Sequence, residues 1–238
     1  MAALPMTGAP ADAAAGTGLS PLLHELFPAE CAKPLSFRKR AYIFHQGDAA
    51  QAVYCLVAGT VALERLDEDG RMAILGIMQA GTVLAWQDLV DGGAHRNGAE
   101  VLAPCTVLVI PAAAFLRALR DDGRLGAALM RQALAQVYAY EQHIMRLSTL
   151  EVPERLYSTL CSLAGPTRPE DGTVEFAVPL LKRDLAAMIG TSPEGVSRGI
   201  RRLEEADMAE FSGRNVRLRI PPAEGGPDGL SRRRRNGG

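Results

Sequence analysis

Residues Leu181–Leu203, LKRDLAAMIGTSPEGVSRGIRRL, hold two helical patterns with a tight turn between them. Leu185, Met188 and Ile189 recur at helical spacing, and Gly190 stands where a helix needs a left-handed residue to end. Ser192 then supplies an N-cap hydroxyl, and Pro193 takes the first helical position, where its missing N–H has no intrahelical partner. Glu194 suits the positive end of the helix dipole. Val196, Ile200 and Leu203 follow at spacings of 4 and 3, so that stripe packs inward and Glu194, Ser197, Arg198 and Arg201 point away from it. Such an outward face can bond base edges and phosphates. An ordinary amphipathic helical hairpin has the same pattern, so the neighbouring sequence decides.

That neighbour is Met208–Ile220, two short strand patterns around the turn Ser212-Gly213-Arg214-Asn215, with Val216, Leu218 and Ile220 alternating against Arg217 and Arg219. Helix-turn-helix followed by a hairpin is a winged helix. Gly195 lies inside the second helix and is expected to cost it about 1 kcal/mol of propensity relative to alanine.

Upstream, Leu35–Val109 shows short apolar runs broken by Gly47-Asp48, Gly59, Gly81 and Gly92-Gly93, a pattern of many short strands. Asp69-Gly70, between VALERL and RMAILGIM, is a hairpin signal. Leu19–Phe27 fits a short helix. From Asp122 to Leu147 the pattern turns helical, and Gly126, Met130, Ala133, Val137, Tyr140, Ile144 and Leu147 alternate at 4 and 3, which is a coiled-coil seam. A single helix packed on its own domain is the plainer reading; a two-stranded seam fits the sustained 3.5-residue period better.

The composition bounds the rest. A chain of 238 residues, 47% hydrophobic and 22% charged, buries one sizeable core or two modest ones. The net charge of -1 does not itself favour DNA binding, but affinity follows local patches, and Arg198, Arg201, Arg202, Arg214, Arg217 and Arg219 cluster late in the chain, partly offset by Glu204, Glu205, Asp207 and Glu210. No run of eighteen apolar residues and no signal-peptide pattern occurs, which predicts a cytoplasmic protein. Cys31, Cys55, Cys105 and Cys161 lack zinc-finger or paired spacing and read mostly as buried thiols, with no metal site. There is no His-x-His, Gly-x-Ser-x-Gly or phosphate-binding glycine loop, so an enzyme is not expected.

From about Leu35 through Ile220 the chain resembles Crp/Fnr-type bacterial transcription regulators. Tyr42-Ile43-Phe44-His45-Gln46-Gly47-Asp48 and Val53–Gly59 are similar to the opening strands of that family's cyclic-nucleotide-binding-like β-roll. Glu194-Gly195-Val196-Ser197-Arg198 resembles the E-x-x-S-R signature of the Fnr branch, the one that includes Dnr, NnrR and FixK. Pro193 stands where the Crp branch has its first arginine, and Ser197 where it has glycine. The resemblance implies an α+β chain: an N-terminal β-roll (jelly-roll-like), a long dimerisation helix and a C-terminal winged helix-turn-helix. Expected boundaries are a tail at 1–18, the β-roll sensor at 19–120, the dimer helix at 121–147, the DNA-binding domain at 148–221 and a flexible basic tail at 222–238.

The resemblance further implies a homodimer on a palindrome like TTGAT-N4-ATCAA, with RNA polymerase as the expected protein partner and no membrane. Arg198 suits guanine O6 and N7, Glu194 a cytosine amino group, and Ser197 several bases. Ser192, Lys182, Arg183, Arg201 and Arg202 complete the candidate DNA set. Met130, Ala133, Val137, Tyr140, Ile144 and Leu147 form the expected dimer face. The effector is open. Cyclic AMP is not expected, because Thr82 follows Gly81 where nucleotide-binding relatives have glutamate, and Tyr140 and Glu141 replace small hydroxylic residues. An iron–sulfur cluster is not expected either, since only Cys31 lies near the N-terminus. A haem sensing NO or CO, with His24, His45, His95 or His143 as ligand, stays open, as does control without a cofactor. Thr82, Trp86, His95, Arg96 and Tyr140 are the candidate effector residues, with core packing the plainer reading of Trp86. A cyclic-nucleotide-responsive Crp-like regulator or regulatory module is the competing reading.

Overall fold

The computed structural model describes residues 19–28, 30–165 and 172–220. The two tails expected at 1–18 and 222–238 lie outside the described residues.

Alternating apolar residues and turn signals build an antiparallel roll. After α1 (Leu19–Leu26) and the edge strand β1 (Lys33–Phe37) come two long strands, β2 (Ala52–Leu66) and β5 (Gly98–Pro111), paired from Ala52 opposite Pro111 to Glu64 opposite Gly98. β3 (Met72–Gln79) returns beside β2 through the hairpin at Asp69-Gly70, where the Asp67 carboxylate accepts from the N–H groups of Asp69 and Arg71. The strand order is β1-β5-β2-β3, with the short β4 (Val83–Leu84) also on β2.

Register slips near Ala58 bend β2, and Gly59 occupies the bend at φ 95°. A Cβ there would lie 2.4 Å from Cys105 Cβ and 2.5 Å from the Pro104 carbonyl, so only glycine fits. Gly59→Ala is expected to cost about 2–4 kcal/mol of stability. The check is the urea midpoint at constant m-value, and an unchanged midpoint would mean the strands part freely at this bend.

Helices α2 (Trp86–Val90) and α3 (Ala112–Asp121) interrupt and close the roll; α2 falls within Leu35–Val109, where the sequence pattern predicts strands alone. The long helix α4 runs Gly123–Thr149, two residues later than the expected 121–147. Its start is fixed by Asp122, whose carboxylate accepts from the Arg124 N–H at 2.8 Å. Beyond it lie α5 (Val152–Leu163), β6 (Thr173–Ala177), α6 (Lys182–Ile189), α7 (Pro193–Glu205), β7 (Ala209–Ser212) and β8 (Asn215–Arg219). The hairpin read from Ser212–Asn215 is present, but the sheet has three strands in the order β6-β8-β7.

Leu156, Leu160, Leu185, Ile189, Val196, Leu203 and Leu218 are each at most 3% exposed and form the core of the C-terminal unit. Ala62, Ile74 and Leu102 of the roll belong to the same cluster, so the roll and the helix-turn-helix share apolar packing. A polar clasp reinforces it: the Arg40 guanidinium bonds Glu100 at 2.7 Å and Asp184 at 3.3 Å, and the buried Asp184 carboxylate also accepts from the Leu181 N–H at the start of α6. Among the described residues no helix is long and apolar enough to cross a membrane.

Candidate nucleic-acid interface

The turn between α6 and α7 follows the capping chemistry. Gly190 takes φ 66° and ends α6; the Ser192 hydroxyl accepts from the Gly195 N–H at 3.2 Å and starts α7, with Pro193 as its first residue. Val196 and Leu203 are buried, and Ile200 packs against the same core. Glu194, Arg198, Arg201 and Arg202 are exposed on the opposite face. The glycines have a packing reason that propensity alone hides. A Cβ on Gly195 would sit 2.2 Å from the Thr191 hydroxyl, and one on Gly199 would sit 3.2 Å from a Leu156 methyl, so α7 lies close against its neighbours at both points. The helical cost expected at Gly195 is thus met by close packing.

The cations of this unit divide into two groups. Arg198 and Arg201 make no ion pair among the described residues and face outward. Lys182 reaches the Ser197 hydroxyl at 3.4 Å, and Ser197 in turn donates to the Pro193 carbonyl. Arg183 lies 3.3 Å from Asp184, and Arg202 lies 3.6 Å from Glu151, on the flank of α7 nearer α5. On the wing, Arg217 is held by Glu175 at 2.6 Å and Glu210 at 3.5 Å, and Arg219 by Asp207, while Arg214 folds back onto the carbonyls of Val178 and Pro179. The late arginine cluster is therefore not uniformly available; exposed pairs like these are weak and exchangeable, but the open positive charge sits on α7. Glu194 is held below the usual carboxylate range by hydrogen bonds from its own N–H and the Ser192 hydroxyl, with help from Arg198, so it presents an ionised acceptor at neutral pH.

A cleft lies between β3, the long helix and α5. It comprises two adjoining cavities of about 160 and 690 Å³ that share Thr82, Gln132, Gln136, Tyr140 and His143. Of the expected effector residues, Thr82, Tyr140 and Arg96 line it, and Arg96 is tied to Asp91 and Asp88. Trp86 and His95 do not line it. Trp86 starts α2 directly after Ala85, which takes a φ of 66°, and its ring packs against the cluster that includes Leu19, Leu23 and Phe27. His95 is 2% exposed, 3.3 Å from Asp88 and packed on the Phe44 ring.

Tyr140 also leaves the expected dimer face. Its hydroxyl accepts from Gln136 at 2.9 Å, and the ring faces the cleft. Met130, Val137, Ile144 and Leu147 are exposed and Ala133 is half-buried, with Ile144 and Leu147 also lining the larger cavity, and Leu134, Tyr138 and Met145 join the outer apolar face. The clamp residue Gln132 was missed, though its amide bonds both the N–H and the carbonyl of Val83. The spacing of Gln132, Gln136, Tyr140 and His143 along one helix face was the signal for it.

Comparison with known proteins gives two adjacent family matches, the cyclic nucleotide-binding domain over residues 34–122 and the Crp-like helix-turn-helix domain over residues 154–223. The chain is 28% identical over 190 residues to the nitrogen fixation regulation protein FixK of Azorhizobium caulinodans, covering 78% of this chain and 75% of that protein. It is 23% identical over 181 residues to the cAMP-activated global transcriptional regulator CRP of Pasteurella multocida, covering 76% and 87%. The solved structure of FixK2 from Bradyrhizobium japonicum matches with a TM-score of 0.67 at 26% identity, over 79% of this chain and 92% of that one. The regulator CLP of Xanthomonas campestris matches with a TM-score of 0.72 at 20% identity, over 86% and 98%, a likeness of fold alone.

Proposed function

The chain belongs to the Crp/Fnr family of DNA-binding transcription regulators, which are not enzymes, and from that premise we propose that it reads a TTGAT-N4-ATCAA-like palindrome as a homodimer under redox, oxygen or nitrogen-oxide control. The observation that carries the reading is the outer face of α7, where an ionised Glu194, Ser197 and Arg198, which makes no ion pair among the described residues, lie beside Arg201. Arg198 bonds guanine, Glu194 accepts from cytosine, and Lys182, Arg201 and Arg202 contact phosphates. Two such helices about one helical turn apart require a two-fold axis, which the exposed apolar face of α4 supplies by pairing with a second copy. RNA polymerase is the protein partner of the bound dimer.

The signal enters through the roll and the cleft and shifts the balance between dimers that bind DNA and dimers that do not. Among the four histidines only His143 lines the cleft, so a haem carrying an NO or CO signal would take its ligand there. Redox control by thiol chemistry would fall to Cys31, the one exposed cysteine. Burial pushes the Cys55 thiol up to about 11 and raises that of Cys105, so both stay protonated and unreactive at neutral pH. Iodoacetamide is therefore expected to alkylate Cys31 well before Cys55, Cys105 or Cys161 in peptide mass maps; equal rates would remove this basis for a redox switch. Cyclic-nucleotide control is the weaker reading, because a phosphate would have to draw Arg96 away from Asp88 and Asp91. The deciding experiment is the absorption spectrum of anaerobically purified protein together with palindrome binding with and without NO. A Soret band with NO-dependent binding supports haem sensing, and colourless protein that binds regardless removes it.

A further inference from the structure

Away from the cleft and the DNA face, the junction between the roll and the helix-turn-helix holds a group of buried acids. Glu64, Glu100 and Asp184 are 6%, 7% and 1% exposed. Glu64 and Glu100 share one face of the β2–β5 pair, because Ala62, two residues before Glu64, stands opposite Glu100. Asp184 comes from α6, the first helix of the helix-turn-helix. The Arg40 guanidinium joins the two units, at 2.7 Å from Glu100 and 3.3 Å from Asp184. Arg40 takes φ 73°, a left-handed backbone that residues other than glycine rarely adopt, so the loop carries this guanidinium at the cost of local strain.

Acids and cations do not balance here. Arg40 serves Glu100 and Asp184, the exposed Arg183 adds a contact to Asp184 at 3.3 Å, and Glu64 makes no ion pair among the described residues. Glu64 Oε1 accepts from the Tyr42 hydroxyl, while Oε2 is buried with no hydrogen-bond partner. The groups that face Glu64 are Tyr42, stacked on His45 at 4.4 Å, and Arg40 from the loop, Glu100 from β5 and Asp184 from α6; β3 sets only Ile74 opposite it, and the exposed Lys39 lies beside the same acids. Burial raises the Glu64 carboxyl above the usual carboxylate range, and the charges of Glu100 and Asp184 add to this against the Tyr42 hydrogen bond and Arg40. A buried anionic oxygen without a donor is costly, and a proton removes most of that cost. We propose that this cluster is a proton-operated latch: with Glu64 neutral, Arg40 ties Asp184 to Glu100 and holds α6 on the roll, and with Glu64 ionised, a third acid competes for the same guanidinium and Asp184 is released. The sign follows from the raised carboxyl. The neutral form stabilises the junction at low pH, and that stability is lost as pH rises through the raised value. The latch therefore closes on acidification and opens toward alkaline pH.

The test is hydrogen exchange of the full chain without DNA, read by mass spectrometry between about pH 5 and about pH 8 and corrected for intrinsic exchange rates. Amides of α6 are expected to lose protection as pH rises, by up to about tenfold for each unit by which the junction raises Glu64, while those around Leu125 and Leu129, in the separate cluster with Leu19 and Leu23, keep theirs. Glu64→Gln cannot ionise and should keep α6 protected throughout. Tyr42→Phe removes the hydrogen bond that favours the ionised carboxyl, so it should move the release to higher pH, and it serves if Glu64→Gln fails to fold. Arg40→Asn, whose side chain tolerates the left-handed backbone, should release α6 at every pH. Protection of α6 that does not vary with pH in the wild type, a loss shared equally by Leu125 and Leu129, or wild-type pH dependence in folded Glu64→Gln or Tyr42→Phe overturns the proposal. Palindrome affinity should change with pH in the wild type and not in Glu64→Gln, a consequence that rests on the proposed DNA reading; the exchange measurement does not, so the two can fail separately.

Discussion

Ile144→Glu is expected to convert the protein to monomers. Ile144 is 60% exposed in the single chain, and Met130 at 60%, Leu134 at 48% and Val137 at 48% extend the same apolar face along α4. A continuous apolar face of this kind marks an interface, and in the proposed homodimer a second copy covers it with the same residues. A carboxylate placed on each side of the two-fold seam meets its own copy in a desolvated contact, which combines burial cost with like-charge repulsion. Because a palindrome is gripped at two half-sites, loss of the dimer removes the effective-concentration gain of the second site, and affinity should fall by a factor on the order of 10³. Light scattering or sedimentation reports the mass directly. A variant that keeps the wild-type dimer mass places the seam elsewhere.

Arg198→Ala should produce the other large effect, on sequence choice more than on charge. A bidentate contact to guanine is worth about 1–3 kcal/mol per half-site, so a dimer loses that amount twice, and discrimination at the guanine position relaxes. Arg202→Ala should instead weaken specific and random duplexes by similar small factors, as expected for a phosphate contact that also exchanges with Glu151. Competition titrations with guanine-substituted half-sites separate the two. Equal losses on cognate and random DNA for Arg198→Ala would remove its role as a base reader.

The helix-turn-helix was legible in the sequence because its determinants are local: Gly190, Ser192 and Pro193 fix the turn within four residues of one another, and the hairpin at Gly213 closes within two. The opening of the roll and the hairpin at Asp69-Gly70 were legible for the same reason. What escaped depends on distant partners. β6 is defined by pairing with β8, more than forty residues later, and nothing in TVEFA announces that. The Arg40 clasp joins residues 144 positions apart. Trp86 fits either the cleft or the core by its place in the chain and joins the core, whereas His95, placed at the cleft by the same reasoning, is buried against Asp88 and Phe44. Tyr140 fits a heptad by counting, whereas its contact with Gln136 turns it inward and gives the outer face to Leu134, Tyr138 and Met145.

Palindrome reading by a dimer is tested most directly by titrating wild-type protein against a TTGAT-N4-ATCAA duplex and against a scrambled duplex of equal length, by fluorescence anisotropy at fixed physiological salt. The predicted result is a preference for the palindrome of about 10³ or more, with a stoichiometry of two chains per duplex. Equal affinity for both duplexes, or one chain per palindrome, would contradict it.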